Sequence, residues 1–576
     1  MNGWTGKILR VDLAQGSTRV EDLSKERLQS LIGGRALALA ILAEEVDPAA
    51  DALGDANKLI LAAGPLTGTG AACGSVVVCA AKSPLTGGFC CGQVKGHFGA
   101  EMKQSGLDAI VFEGKSKFPV YLSMAEGQAK LMPALQAWGR DTRQTTSILH
   151  AEIKDNWKAR ETMVLAIGPA GERKCRLATL VNEDYLAQGA PGLGAVMGAK
   201  NLKAVAVRGS NGLSVAHGSA FIDTVSGLIN RLGHLPATGQ SLPEFGSPYL
   251  LDSLAAMGGL AVRNHTAATA EMPSARELAA HYRLARSCFG CPIGCKQFGA
   301  VAQGPFASEG KGPEADAVAA FGPKCGVTDP AAIFKANRVC TLYGLDPVSA
   351  AGAIACAMEL GAAGLMSGVP SFGDAAAMIS ALDEIGSGQG SLAALGDGAG
   401  ELCRKAGRPD LFMGVNGAEL APFEPRALPA LGLHMATSSL APSELTAFGL
   451  ISSAVNGHCP EAPEEAAAAC ARAQAESAIM DSLGLCALPL VAVPLSELLP
   501  MLGAATGWEI RLDEAMDMGA AVVELGRTLN TTAGAPEAAL PHRLTDEPLA
   551  SGPAKGKVCP LNDMLGAYLR RTGAAR

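Results

Sequence analysis

The sequence predicts an α+β protein, with a β-rich base domain over residues 1–210 followed by two mainly helical domains over 211–418 and 419–576. Three observations lead there. Short apolar or β-branched runs bounded by glycine and proline crowd the first third of the chain. Beyond residue 215 the pattern becomes long Ala- and Leu-rich stretches with apolar residues at three- and four-residue spacing. A chain of 576 residues also exceeds what one hydrophobic core serves, so several domains are expected.

In the base region, residues 7–13 alternate as a strand and turn at Gln15-Gly16, and residues 58–63 form a short apolar run that stops at Gly64-Pro65. Residues 75–81, 109–113, 164–167 and 204–207 have the same strand character, with helices at 26–31 and 36–44 between them. The middle of the chain predicts helices at 331–343, 348–360, 374–385 and 392–406. The last third adds 463–480, 496–502, 512–529 and 559–569. Pro/Gly-rich breaks at 209–212, 422–429 and 533–541 mark the boundaries, and no short-period repeat is visible.

Composition narrows the function. Apolar residues make up 48% of the chain and charged ones 18%, the profile of a deeply packed enzyme rather than a disordered segment. With 4% aromatics, a net charge of −8 and no basic tract, a nucleic-acid partner is not expected. The first residues lack the basic and apolar regions of a signal peptide, and no run of 18 apolar residues predicts a membrane span. A reducing, cytoplasmic setting is therefore expected, where the 16 cysteines serve as thiols and metal ligands rather than disulfides.

The sharpest chemical signal is Cys288-Phe289-Gly290-Cys291-Pro292-Ile293-Gly294-Cys295. Three thiolates on a turn rich in small residues can converge on an iron–sulfur cube, with main-chain N–H groups close to its sulfides. Zinc favours two separated pairs of ligands, and simple packing needs no such spacing, so the odd count of three points to a [4Fe–4S] cluster. A cubane needs a fourth ligand. Cys486 is the best choice because it ends a compact turn, Asp481-Ser482-Leu483-Gly484-Leu485-Cys486, although Cys340 and Cys325 satisfy spacing equally.

With these motifs, the chain resembles the aldehyde ferredoxin oxidoreductase family end to end. The resemblance is carried by residues 2–7, by Ala62-Ala63-Gly64-Pro65-Leu66-Thr67-Gly68-Thr69 and by Lys82-Ser83-Pro84-Leu85-Thr86-Gly87. Further carriers are Gly168-Pro169-Ala170-Gly171-Glu172, residues 192–204, the cysteine triplet, Gly312-Pro313-Glu314 and residues 481–486. The resemblance implies a pterin-binding base domain, a tungsten (or molybdenum) bis-pyranopterin and one adjacent [4Fe–4S] cluster. It also implies oxidation of an aldehyde to a carboxylic acid, with electrons leaving to ferredoxin or a ferredoxin-like subunit.

Carried over residue by residue, the resemblance makes Cys288, Cys291, Cys295 and Cys486 the cluster ligands. Asp481 and Leu485 match one pterin-binding turn, and Leu345 and Asp346 match the other, whose leading acidic residue is Thr341 here. Gln93, Lys95 and the loop containing Ala190, Gly192 and Gly194 fall on pterin-facing positions, and Glu314 falls on the acidic residue near the metal.

Several positions depart from the family. Its Gly-Gly-Arg-Tyr-Asn stretch reads Gly74-Ser75-Val76-Val77-Val78, a phosphate-binding Arg has become Ala190, and its Arg-Gly-Gly-Cys-His segment reads Leu440-Ala441-Pro442-Ser443-Glu444. The intersubunit iron motif reads Lys335-Ala336-Asn337-Arg338, so any homodimer is expected to lack that iron. Lys95 and His97 offer replacement charge, and His434 or His458 could stand in for the missing histidine, against the plainer reading of structural histidines. Cys73, Cys79, Cys90 and Cys91 read first as small buried core residues. Three functional readings follow: an active member with another substrate, a non-catalytic [4Fe–4S] electron-transfer subunit lacking the metal-pterin, and a member with altered chemistry at the metal. No Walker Lys-Ser/Thr follows the Gly-rich loop at 386–390, and no G-x-S-x-G elbow is present, so phosphate-loop and serine-hydrolase chemistries are set aside.

Overall fold

In a computed structural model, residues 1–573 are described apart from 126, 270, 439 and 536–538, with only the main chain of Glu444. Part of the 533–541 break therefore lies outside the described residues.

The base is built from two six-stranded sheets. The first contains β1 (Lys7–Asp12), β2 (Ser17–Asp22), β3 (Leu59–Ala63), β4 (Val77–Lys82), β5 (Phe89–Val94) and β6 (Ala109–Glu113) in the order β2-β1-β6-β3-β4-β5. The second contains β7 (Val120–Ala125), β8 (Gln128–Pro133), β9 (Met163–Ala166), β10 (Val181–Asn182), β11 (Tyr185–Leu186) and β12 (Leu202–Arg208) in the order β11-β10-β9-β12-β7-β8. Read from opposite ends, these orders are the same: a hairpin, a parallel partner, then three antiparallel strands. The base is a topological duplication. Its mark in the sequence is slight, Ala62-Ala63-Gly64-Pro65 against Ala166-Ile167-Gly168-Pro169.

The predicted strands all appear, each within a few residues of the expected place, because apolar runs bounded by breakers leave little freedom. β2, β5, β7, β8, β10 and β11 were not predicted; β5, Phe-Cys-Cys-Gly-Gln-Val, carries a polar residue, yet every position is buried. Three further strands, β13 (Tyr282–Arg286), β14 (Lys296–Val301) and β15 (Ser308–Lys311), form a small sheet inside the otherwise helical part. They are mostly polar and half-exposed, so hydrophobic alternation could not reveal them.

The helices follow the periodicity. Pro330–Tyr343 and Pro347–Ala362 start on Asp329 and Asp346, whose carboxylates accept from Ala331 and Ser349 main-chain N–H groups. Each such cap contributes about 1 kcal/mol. The predicted 392–406 helix breaks at Gly398, φ +95°, into a short 3-10 turn and the helix Ala399–Lys405. That predicted at 496–502 breaks before Pro500, which cannot donate to the preceding turn. Pro463–Leu483 is the central helix. It packs on Gly34–Glu45 of the base and on Leu512–Thr532 and Leu561–Thr572, burying mostly small residues (Ala, Ser and Cys) and so allowing close approach. No helix among the described residues is long and apolar enough to cross a membrane.

Candidate metal and redox site

The cysteine triplet is the connection between β13 and β14. Gly290 and Gly294 have φ of +65° and +66°, conformations that place tight bends between the thiols and that other residues enter at a cost. The Cys291 N–H donates to the Cys288 carbonyl at 3.1 Å, closing the first turn. The loop is then fastened to the base: Phe289 N donates to Gly96 O at 3.2 Å, and Cys73 N donates to Gly290 O at 3.2 Å.

Cys486 arrives from the far side. The helix Pro463–Leu483 ends at left-handed Gly484, φ +80°, and the Leu485 N–H returns to the Met480 carbonyl at 3.0 Å. A Cβ built on Gly64 would overlap the main chain of Leu483, so only glycine lets this turn seat on the end of β3. Leu66 and Val76 N–H groups donate to the Leu483 and Gly484 carbonyls, and Cys486 N donates to Cys73 O, each at 3.1 Å.

The second half of the base repeats the arrangement. Gly168 receives the turn after Pro330–Tyr343, Gly344 is left-handed, Leu345 N bonds Cys340 O, and Asp346 N donates to Leu177 O at 2.8 Å. Asp346 thus occupies the place of Cys486, and Leu177 that of Cys73.

Cys288, Cys291, Cys295 and Cys486 line one cavity, and Cys73 lines it too. Cys325 and Cys340, the other candidates for a fourth ligand, are buried elsewhere; the Cys325 thiol faces the Ala351 carbonyl at 3.6 Å. The thiols ring a space rather than meet at a point. Among the described residues no three His, Cys, Asp or Glu side chains form a group that could hold a single metal ion. Burial pushes the Cys288 thiol up to about 11 against the opposing charge of Lys296. Cys291 goes the other way, lowered chiefly by its contact with the Cys73 thiol. Cys79 and Cys90 instead face main-chain carbonyls, of Gly92 and Gly189, inside the core.

Glu314 faces the same cavity in a setting that sequence reasoning missed. Its Oε1 accepts from Lys296 at 2.5 Å and pairs with Lys311 at 2.6 Å, while Oε2 accepts from Ser247 at 2.5 Å. Burial would raise this carboxyl, but the two ammonium charges and their hydrogen bonds outweigh it and hold Glu314 well below the ordinary carboxylate range. Asp316 lies beside it and is pushed upward, first by burial and then by Glu314. The available signal was local: Lys296 directly follows Cys295, and Lys311 precedes Glu314 by three residues.

The positions expected to face pterin divide into three groups. Lys95 and Asp346 line an adjoining cavity with Gln188, to which Lys95 donates at 2.6 Å. Asp346, capping its helix, is raised to about 7 by burial. Gln93 and Asp481 form the second group, joined by a 2.6 Å hydrogen bond from Gln93 Nε2, with Arg35 Nη1 3.9 Å from the other carboxylate oxygen. Arg35 is 2% exposed, and its Nε and Nη1, like Gln93 Oε1, find no hydrogen-bond partner among the described residues. Burial raises Asp481 to about 6, opposed by Arg35 and Gln93.

The third group serves the main chain. Ala190 is buried against Gly92, in a loop fastened by reciprocal Gln93–Gln188 main-chain bonds. Gly192 and Gly194 both donate to Ala178 O, and Leu345 and Leu485 are buried in their turns. His434 is buried, with Nε2 3.0 Å from Ser443 O and Nδ1 3.0 Å from Gln474 Nε2, a satisfied structural histidine lowered to about 4 by burial. His458 is largely exposed beside Glu465.

Comparison with known proteins accords with this geometry. The family model described as "Aldehyde ferredoxin oxidoreductase, N-terminal domain" matches residues 8–209, and "Aldehyde ferredoxin oxidoreductase, domains 2 & 3" matches residues 224–575. The chain is 33% identical over its whole length to tungsten-containing aldehyde ferredoxin oxidoreductases of Pyrococcus furiosus and Thermococcus kodakarensis, covering 96% of each. Over 64% of this chain and 61% of the relative, it is 27% identical to the WOR-like subunit of an aliphatic sulfonate oxidoreductase from Pyrococcus furiosus. In fold it matches a chain of the BamBC active-site complex of benzoyl coenzyme A reductase with 1,5-dienoyl-CoA, with a TM-score of 0.84 at 21% identity, covering 100% of this chain and 95% of that one. The two domain matches and the full-length identity establish that this chain belongs to the aldehyde ferredoxin oxidoreductase family.

Proposed function

We propose that this chain is an oxidoreductase that converts an aldehyde to a carboxylic acid and releases the electrons through one [4Fe–4S] cluster held by Cys288, Cys291, Cys295 and Cys486. The observation that carries the reading is the convergence of the Cys486 turn and the triplet loop on one cavity, from opposite sides and through main-chain bonds to the same residue, Cys73. Ligands fixed by main-chain contacts are pre-organised, so little ordering remains to be done when a cluster binds.

The residues also suit a tungsten (or molybdenum) bis-pyranopterin. Arg35 Nε and Nη1 and Gln93 Oε1, which have no hydrogen-bond partner among the described residues, call for a polar ligand, since leaving such groups buried and unsatisfied costs about 1–3 kcal/mol each. Arg35, Gln93 and Asp481 would hold one pterin, and Lys95, Gln188 and Asp346 the other. When bound, this group supplies the two-electron oxidation and hands electrons on singly. The chain's own part is electrostatic. Lys296 and Lys311 hold Glu314 ionised at the cavity wall, so Glu314 orients groups by accepting hydrogen bonds rather than by donating a proton. The electron acceptor in this reading is ferredoxin or a ferredoxin-like subunit in the cytoplasm, and any homodimer lacks intersubunit iron because residues 335–338 read Lys-Ala-Asn-Arg.

Anaerobic purification, elemental analysis and aldehyde-dependent reduction of ferredoxin or a viologen test the proposal together. About four iron and about one tungsten or molybdenum per chain, with acceptor reduction, is the expected result. Iron without either heavier metal would remove the oxidation step and leave an electron-transfer protein.

A further inference from the structure

Five thiols surround a cavity where a cubane takes four. The fifth, Cys73, is 2% exposed, and its Sγ lies 3.7 Å from Cys291 Sγ. We infer that Cys73 donates its thiol hydrogen to the Cys291 sulfur of the cluster and thereby sets a higher reduction potential than the four ligands alone would give. The inference rests on the cubane proposed above.

Three features support it. First, the contact has one possible polarity once Cys291 is a ligand: a coordinated thiolate carries no hydrogen, so Cys73 must be the donor. Second, the main chain of Cys73 is fixed by both ligand-bearing segments, donating to Gly290 O and accepting from Cys486 N. Its side chain is therefore held beside the site and cannot drift with either segment alone. Third, the fold does not ask for a thiol here. The same seat in the duplicated half, taking the N–H of Asp346, is occupied by Leu177. A cysteine at this position, in a left-handed conformation with φ +61°, answers to the site and not to the architecture.

The direction of the effect follows from charge. Reduction adds negative charge that is shared by the sulfurs, and a hydrogen-bond donor to a ligand sulfur stabilises that state more than the oxidised one. Removing the donor must therefore make the cluster harder to reduce.

The test is an EPR-monitored potentiometric titration of the anaerobic protein, with iron content, for the wild type and the Cys73→Ala, Cys73→Gly and Cys73→Ser variants. Glycine accepts the left-handed main chain without strain, so it carries the comparison if alanine disturbs the turn. All four proteins should hold about four iron per chain. The alanine and glycine variants should titrate at more negative potential, with serine, which keeps an O–H donor, closer to the wild type. An unshifted midpoint at full iron content overturns the inference while leaving the cubane in place. A three-iron signal in the alanine or glycine variant overturns it by making Cys73 a ligand. A wild type without iron removes the cubane, and this inference falls with it.

Discussion

Gln93, on edge strand β5, donates its Nε2 hydrogen to Asp481 Oδ1 at 2.6 Å, joining residues 388 apart. The other Asp481 oxygen faces Arg35 Nη1 at 3.9 Å, so one buried carboxylate links the base to the end of the central helix. Replacing Asp481 by Ala removes the acceptor of the buried Gln93 amide. The expected cost is about 1–3 kcal/mol, the penalty for a buried donor left without its partner. A clear drop in apparent melting temperature would register it, and an unchanged melt would show that Gln93 finds another acceptor.

Glu314 should behave as an anchor for two ammonium groups. Glu314→Gln leaves Lys296 and Lys311 without their shared carboxylate. Aldehyde oxidation should fall at least about 10-fold, the loss expected from about 1.4 kcal/mol, and the melting temperature should fall with it. Metal content should stay the same, which elemental analysis checks. Retained turnover would take Glu314 out of the site's workings.

The ligand assignment predicts a contrast among cysteines. Cys486→Ala should lose most of the bound iron and the visible absorption of the cluster. Cys559→Ala, buried against Gly432, should keep both. Equal iron in the two variants would contradict the assignment of Cys486.

Gly64 gives a test that depends on the tertiary structure alone. Any Cβ there collides with the main chain of Leu483, and since the neighbour is main chain it cannot rotate away. Gly64→Ala should displace the Cys486 turn and cut iron content sharply. Gly168→Ala, the equivalent change in the other half, meets the Tyr343 carbonyl and should disturb Asp346 while sparing the cluster. Iron analysis of the pair separates the two seats.

His434 predicts a pH effect of definite sign. Its ordinary value of 6.5 is lowered to about 4 because burial disfavours the cation. Its contribution to stability is whole above pH 6.5 and declines as pH falls toward 4, where the folded state also takes up the proton, for a total of about 3 kcal/mol. Asp346 and Asp481, raised by burial to about 7 and about 6, act in the opposite sense, since protonation relieves their penalty. The measurement is therefore a difference: wild type minus His434→Gln, melted at pH 7.5 and pH 5. The gap should narrow at the lower pH.

Much of the site was legible as spacing. The triplet names itself because three cysteines within eight residues, broken by Gly290 and Gly294, serve a cluster better than a core. Cys486 was legible as the end of a turn and was preferred over Cys340 and Cys325 on sequence; the coordinates place it on the triplet's cavity and those two elsewhere. Cys73 was read as a packing residue, and on sequence that was reasonable, for nothing nearby distinguishes it from Cys79 or Cys90. Arg35, Lys296 and Lys311 were not singled out. Charged residues are solvated by default, and only burial turns them into parts of a site.

The sequence by itself determined the α+β class, many of the helices and the close spacing of three cysteines on one turn, since these depend on hydrophobic period, breakers and local spacing. The tertiary structure alone decided the duplication of the base, the small sheet around the triplet, and the meeting of Cys73, Cys291 and Cys486. Those features arise from contacts between residues far apart in the chain, where main-chain fit at Gly64 and Gly168 and the burial of charge set the outcome. Neither leaves a periodic trace in the sequence.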